Sequence, residues 1–172
     1  MDDCLACRNP PEFAHSFPGN SIAGPNPMRH VKRSALVPYS AIELFDLVDD
    51  VDAYAEFLPW CSRSEVLKRD DEMVEATIEL QKGSVSKAFT TRNRRAPGES
   101  LSIELLGGPF RHLQGGWRFR DLGEAGCKVS LALDFEFESR MVDMMFGAFF
   151  QETCNSLVDA FVQRATEVYG ER

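Results

Sequence analysis

The clearest pattern in this chain is a regular alternation of apolar and polar positions from Val129 to Glu138. Every odd residue in this segment is apolar, and every even residue is small or acidic. A period of two is typical of a β-strand that buries one face and exposes the other. A pattern with helical spacing then runs from about Met141 to the C-terminus. Together the two patterns predict a sheet that folds around a long terminal helix, with aromatic side chains between them.

Further strands are predicted from short apolar-rich segments that are separated by turn residues. We expect them at 29–37, 62–68, 73–81, 84–95, 101–106 and 111–121. Two helices follow the first strand: Ser40-Ala41-Ile42-Glu43 is a capping box that begins one, and Pro59 ends a second, short one. No helix separates the later strands, so the fold class should be α+β, with a curved antiparallel sheet of about seven strands. Gly115 and Gly116, paired inside a strand, predict a bulge or a sharp bend.

The terminal helix changes character along its length. Its second half presents a narrow apolar stripe, which predicts ordinary core packing. Its first half is apolar almost all round, through Met141, Val142, Met144, Met145, Phe146, Phe149 and Phe150. A helix of this kind can line a cavity, form an oligomer interface or touch a membrane, and the pattern alone does not choose among the three.

The composition is that of one ordinary globular domain. The chain has 172 residues, of which 44% are hydrophobic and 27% charged. Thirteen Phe against three Tyr place aromatic bulk where no polar group is wanted. No apolar run reaches the roughly 18 residues that a membrane-spanning helix needs. The net charge of −8 argues against non-specific nucleic-acid binding by the whole surface, although a local basic patch remains compatible with it.

Residues 1–27 differ from the rest, because they are rich in Pro and Gly and have no periodic pattern. We expect them to be a disordered leader and 28–172 to be the folded domain, with Met28 as an alternative start. The leader contains Cys4 and Cys7 in a C-x-x-C arrangement. Zinc would need four ligands on a folded backbone, so we expect no metal. Five scattered cysteines with no secretory signal indicate reduced thiols in a cytoplasmic protein.

Several short motifs resemble the coenzyme Q-binding START-domain family, which includes bacterial ribosome-association toxins. They are Leu36-Val37-Pro38-Tyr39-Ser40, Phe57-Leu58-Pro59-Trp60-Cys61, Thr90-Thr91-Arg92-Asn93, Gly108-Pro109-Phe110, Gly115-Gly116-Trp117 and Asp134-Phe135-Glu136-Phe137. They occur in the family's order and cover essentially all of Arg29 to Tyr169. The resemblance implies a helix-grip fold, in which the curved sheet wraps the terminal helix around a ligand cavity. It also implies ubiquinone or a ribosome as the partner.

Our main hypothesis is a non-enzymatic protein that binds ubiquinone or a similar isoprenoid lipid, supports respiration and touches the inner membrane transiently. A cavity for such a ligand needs a large apolar lining and few donors. The candidate lining residues are Phe57, Trp60, Phe89, Phe110, Trp117, Phe135, Phe137, Met145 and Phe149. Each of them could instead be ordinary core. Trp60 follows a short helix at the predicted mouth, where it could gate the cavity, dock to a membrane or fix the helix to the sheet.

The alternative hypothesis is a protein that binds the large ribosomal subunit and blocks subunit joining. Five cations gather on one predicted hairpin and could meet phosphates. They are Lys82, Lys87, Arg92, Arg94 and Arg95. The same residues could be a solvated face that balances the acidic helices.

Catalysis has little support in the sequence. His15, His30 and His112 form no nucleophile or metal arrangement, and no glycine loop leads into a helix as a phosphate site requires. A lipid or polyketide enzyme of this shape would need a buried acid or base. Asp134 and Glu136 lie at polar positions of their strand and should face away from the core. We therefore expect no enzyme activity, no cofactor and no DNA partner.

Overall fold

The computed structural model describes residues 26–172. The predicted leader, with its C-x-x-C, lies outside the described residues as far as position 25. The described part begins at Asn26, whose side-chain amide donates a hydrogen bond to the main-chain carbonyl of Phe137 at 2.8 Å. Contacts to the domain therefore start slightly before the predicted boundary at Met28.

One antiparallel sheet of seven strands dominates the fold and confirms the predicted class. The strands are β1 (Arg29–Val37), β2 (Cys61–Arg69), β3 (Met73–Lys82), β4 (Val85–Ala96), β5 (Ser100–Gly107), β6 (Phe110–Asp121) and β7 (Cys127–Phe137). Their spatial order is β1-β7-β6-β5-β4-β3-β2. Consecutive strands are therefore neighbours except β1, which pairs with β7.

The helices lie where the sequence places them, with more detail than it could give. The first pair is α1 (Ala41–Asp49) and α2 (Tyr54–Phe57), joined by a 3₁₀ turn at Val51–Ala53. The capping box of α1 forms as predicted: the Glu43 amide donates to Ser40 Oγ at 3.3 Å, and the Ser40 amide donates to Glu43 Oε2 at 2.9 Å. The terminal helix consists of α3 (Arg140–Val142), a π turn (Asp143–Gly147) and α4 (Ala148–Tyr169).

The alternation in β7 decides which face of the sheet is buried. Its apolar residues lie under α4 and are almost fully buried, with Phe135 at 0% exposure. Its polar residues point to the opposite, outer face. The terminal helix contacts β1, β7 and α1, so the core lies between one face of the sheet and these helices. This is the arrangement of a helix-grip fold.

Gly115 and Gly116 allow close strand packing, and of the two predicted alternatives, a bulge or a sharp bend, the bulge does not form there. The register of β6 against β5 and β7 is continuous through both glycines, and the irregularity lies instead between Phe110 and His112. Both glycines have positive φ, +146° and +153°. A Cβ on Gly115 would lie 2.0 Å from the carbonyl oxygen of Ala132. The neighbouring backbones are therefore too close for any side chain at this point.

Candidate ligand cavity and outer basic groove

The space between the sheet and α4 contains a cavity of about 70 Å³. It is bounded by β3, β4, β5, β6, the region around Trp60 and the middle of α4. Pockets that hold drug-sized ligands usually measure about 300–1,000 Å³. The cavity is large enough for a few water molecules and much smaller than a typical ligand pocket.

A cluster of phenylalanine rings explains why so little space remains. Phe110 stacks on Phe137 with their ring centroids 4.6 Å apart. Phe150, from the first turn of α4, meets Phe135 edge-to-face at 4.8 Å and Phe110 at 4.9 Å. Such offset and edge-to-face contacts are the favourable geometries for aromatic pairs. The rings fill the region between the sheet and the N-terminal end of α4.

The structure separates the nine predicted lining residues into three groups. Trp60, Phe89 and Trp117 line the cavity. The rings of Phe110, Phe135 and Phe137 belong to the phenylalanine cluster beside it. The other three are Phe57, which lies against Phe161 and Arg164, Met145, which is half exposed, and Phe149, which lies under Lys82.

Polar groups on the cavity wall are few, and none of them is among the lining residues predicted from the sequence. Asn93 and Thr153 are both buried and line the cavity. Among the described residues, Asn93 Oδ1 has no hydrogen-bond partner. The signal that could have identified Asn93 is its position in β4: it follows Phe89 and Thr91 at the inward-facing spacing, where an apolar residue is expected.

Neither titratable side chain of the wall carries a charge at neutral pH. Burial is the main cause that raises the pKa of the Tyr54 hydroxyl, with the nearby Asp49 carboxylate adding to it. Burial alone raises the pKa of the Cys154 thiol. The Tyr54 hydroxyl also donates a hydrogen bond to the main-chain carbonyl of Val48 at 2.6 Å. The wall therefore offers the cavity no ionised acid or base.

At the N-terminal end of the terminal helix, the apolar side chains divide between core and solvent. Phe146 and Phe150 are buried, whereas Met144 is 80% exposed and Met141 is 72% exposed. No helix within 26–172 is both long enough and apolar enough to cross a bilayer. The same residues contain no cluster of side chains that could hold a metal ion.

The basic hairpin is partly neutralised by acidic partners. Arg92 forms a salt bridge with Glu75 across the strand pair at 2.9 Å. Arg95 forms a second with the buried Asp49 carboxylate at 2.8 Å, and Arg69 reaches the same carboxylate at 2.5 Å. The two pairs with Asp49 fix α1 to β2 and β4. Two of the five predicted phosphate contacts therefore already have carboxylate partners.

A second basic surface lies on the outer face of the sheet. A groove of about 1,060 Å³ crosses β1, β7, β6 and β5 there. Five cations line it: Lys32, Arg33, Arg118, Arg120 and Lys128. Arg33 forms a salt bridge with Asp159 of α4 at 3.5 Å, whereas the other four are exposed and form none within 26–172. Arg94, also exposed, lies directly opposite Ser102 at the β4 margin of the groove. We call the five unpaired cations Lys32, Arg94, Arg118, Arg120 and Lys128, with the surface between them, the outer basic groove.

The floor of the outer basic groove consists of small residues. Strand pairing places Ser34 opposite Ser130, and Ala132 opposite Gly116. Gly116 in turn lies opposite Ser102. Because none of these residues has a long side chain, a ligand can approach the main chain closely. The alternate positions of Arg118 and Arg120 are visible in the sequence, but their place beside cations of β1 and β7 follows only from the strand register.

The fold and the matched residues together define the class of this protein. The chain matches the family described as "Polyketide cyclase / dehydrase and lipid transport" over residues 37–162, and it belongs to that family. The crystal structure of the Zhui aromatase/cyclase from a Streptomyces species has the same fold, with a TM-score of 0.73 at 19% identity, over 84% of this chain and 99% of that one.

Two relatives with assigned names are similar in sequence as well. The ribosome association toxin RatA of Vibrio cholerae is 49% identical over 144 residues, which are 84% of this chain and 100% of the relative. The mitochondrial coenzyme Q-binding protein COQ10 homolog B of Xenopus laevis is 29% identical over 144 residues, which are 81% of this chain and 59% of that protein. The family resemblance predicted from the sequence is confirmed.

Proposed function

We propose that this protein associates with the ribosome, through the large subunit, and hinders subunit joining. The observation that carries the proposal is the 49% identity to a ribosome association toxin along that relative's whole length. The outer basic groove supports it, because it provides positive charge for phosphates in a chain whose net charge is −8.

Ubiquinone binding, our main hypothesis from the sequence, becomes the second candidate. The Asn93 amide and the Thr153 hydroxyl favour it, since both lie on an otherwise apolar cavity wall. The size of the cavity opposes it. Each five-carbon isoprenoid unit brings several CH₂-sized groups, each worth about 0.8 kcal/mol when buried, and about 70 Å³ offers little room for them. Quinone entry would require α4 to move away from the sheet.

A non-enzymatic role is part of the proposal. A general acid or base must titrate near the working pH, and the two titratable cavity groups, Tyr54 and Cys154, have pKa values that burial moves further from neutrality. The interior therefore supports binding better than proton transfer.

The test is sedimentation of the protein with purified ribosomal subunits in a sucrose gradient. We expect co-migration with the large subunit at 50 mM salt and steep loss by 200 mM salt, as phosphate contacts require. When both subunits are present, added protein should lower the fraction that joins. Failure to co-migrate with either subunit at any salt concentration would refute ribosome association.

The quinone candidate needs a separate measurement. The purified protein is extracted with organic solvent, and the extract is analysed for quinones by mass spectrometry. We expect far less than one quinone per protein. A quinone recovered at one per protein would favour the second candidate over the first.

A further inference from the structure

The outer basic groove brings together cations that have no acidic partners. Within residues 26–172, none of its five cations forms a salt bridge, whereas arginines elsewhere do so repeatedly. The cations are Lys32, Arg94, Arg118, Arg120 and Lys128. Unpaired exposed cations that share one concave surface create a local positive field. The groove is therefore positive on a chain whose net charge is −8.

We propose that the outer basic groove receives the phosphate backbone of ribosomal RNA, and that the other cations of the β3–β4 hairpin, Lys82, Lys87, Arg92 and Arg95, do not. This proposal rests on the proposed ribosome association and names the surface and the chemistry that achieve it. Along the hairpin, Arg92 and Arg95 are occupied by Glu75 and Asp49. In the groove, the five unpaired cations are available to a phosphate, whereas Arg33 beside them pairs with Asp159.

Strand register gives the spacing of the cations. Arg118 and Arg120 lie on the outer face of β6, two residues and roughly 7 Å apart. Lys128 is directly opposite Arg120 on β7. Lys32 and Arg94 end a cross-strand row of five strands, so they are roughly 19 Å apart at the usual strand spacing. The cations therefore surround a floor several phosphates long rather than a single point.

The floor suits a phosphodiester chain. Gly116, Ser102, Ser130 and Ala132 leave the main chain open to close approach. The hydroxyls of Ser34, Ser100, Ser102 and Ser130 line the same surface, and hydroxyl groups commonly donate hydrogen bonds to phosphate oxygens. The groove contains no exposed aromatic anchor of the kind that dominates protein–protein interfaces. We therefore favour RNA over a ribosomal protein.

Acidic side chains limit the positive surface and fix its extent. Glu99 lies at one margin of the groove. On the other side lies the cross-strand row two residues along from the one that joins Lys32 to Arg94. It contains Asp134, which pairs with His30 at 2.5 Å, and Glu104, which lies opposite Arg92. A phosphate chain would be repelled by both margins. The expected path therefore crosses the sheet between them, from β1 towards β4.

The experiment compares three proteins: the natural chain, the groove variant Arg118→Ala/Arg120→Ala, and the control Lys68→Ala/Arg140→Ala. The control removes the same charge from exposed side chains outside the groove that also form no salt bridge within 26–172. A fourth protein, Lys82→Ala/Lys87→Ala, tests the hairpin. Binding is measured against purified large subunits, a labelled naked RNA duplex, and vesicles that contain anionic lipid, each from 50 to 200 mM salt.

We expect the groove variant to bind large subunits and the RNA duplex roughly tenfold or more weakly, with the slope of log affinity against log salt reduced by about 2. The control and the hairpin variant should match the natural chain. Equal binding by the groove variant and the natural chain would overturn the groove assignment and leave ribosome association standing. The RNA assignment would be overturned if the groove variant lost binding to vesicles alone. It would also be overturned if the variant lost binding to large subunits but still bound the naked RNA duplex as the natural chain does. If the natural chain binds no subunits, ribosome association itself fails.

Discussion

The two faces of the sheet present opposite kinds of surface, although they belong to the same strands. On the inner face, Phe135 and its neighbouring rings interlock and leave a cavity of about 70 Å³. On the outer face, the same strands hold unpaired cations around a groove of about 1,060 Å³. A fold shared with lipid transporters and cyclases therefore does not decide where a given member binds its partner. In this chain, the outer face offers a binding partner more space than the inner face does.

The largest expected effect comes from opening the inner face. Phe135→Ala removes a fully buried ring from the phenylalanine cluster, so we expect the free energy of unfolding to fall by about 3–5 kcal/mol. Denaturant titration measures this loss. The matched control, Met144→Ala, removes an exposed side chain and should change stability by less than about 0.5 kcal/mol. A similar cost for both variants would show that the inner face is not tightly packed.

The close approach of β6 and β7 at Gly115 gives the next effect. A side chain on Gly115 would meet the Ala132 carbonyl oxygen at 2.0 Å, so Gly115→Ala should cost about 3 kcal/mol through strain and strand separation. Gly83 also has positive φ but faces open space, so Gly83→Ala should cost only about 1 kcal/mol. Thermal unfolding of both variants checks the difference, and equal costs would contradict the close approach of the strands.

A smaller effect on stability is expected at Asn93, on the wall of the cavity. Asn93 Oδ1 is buried and has no hydrogen-bond partner among the described residues, which is a cost to the folded state. Asn93→Leu should therefore stabilise the protein by about 1 kcal/mol in denaturant titration. Destabilisation of that size would instead indicate that the amide forms a hydrogen bond with a bound water or ligand, and that this bond stabilises the folded state.

The smallest expected effect belongs to the outer face. Arg118→Gln removes an exposed cation that forms no salt bridge within 26–172, so stability should change by less than about 0.5 kcal/mol. Arg92→Gln breaks the half-buried pair with Glu75 and should cost up to about 1 kcal/mol. A large loss for Arg118→Gln alone would show that this side chain supports the fold, which would weaken its assignment to a binding surface.

The sequence predicted what depends on local pattern. The alternation in β7 gave its buried face, and the Ser40–Glu43 capping box gave the start of α1, because both are set by neighbouring residues. The size of the cavity depends on how rings from β6, β7 and α4 interlock, which spacing along the chain does not determine. The availability of cations also escaped prediction: that Glu75 neutralises Arg92 follows only from the β3–β4 register.

The most direct test of the account compares ribosome binding by one variant of each face. Leu157→Phe adds a ring to the cavity wall, and Arg118→Ala/Arg120→Ala removes cations from the outer basic groove. Both proteins are first shown to be folded and are then sedimented with large subunits at 50 mM salt. We predict that Leu157→Phe co-migrates as the natural chain does, whereas the groove variant is largely lost from the subunit fraction. Loss of co-migration for Leu157→Phe, with normal co-migration of the groove variant, would contradict the account.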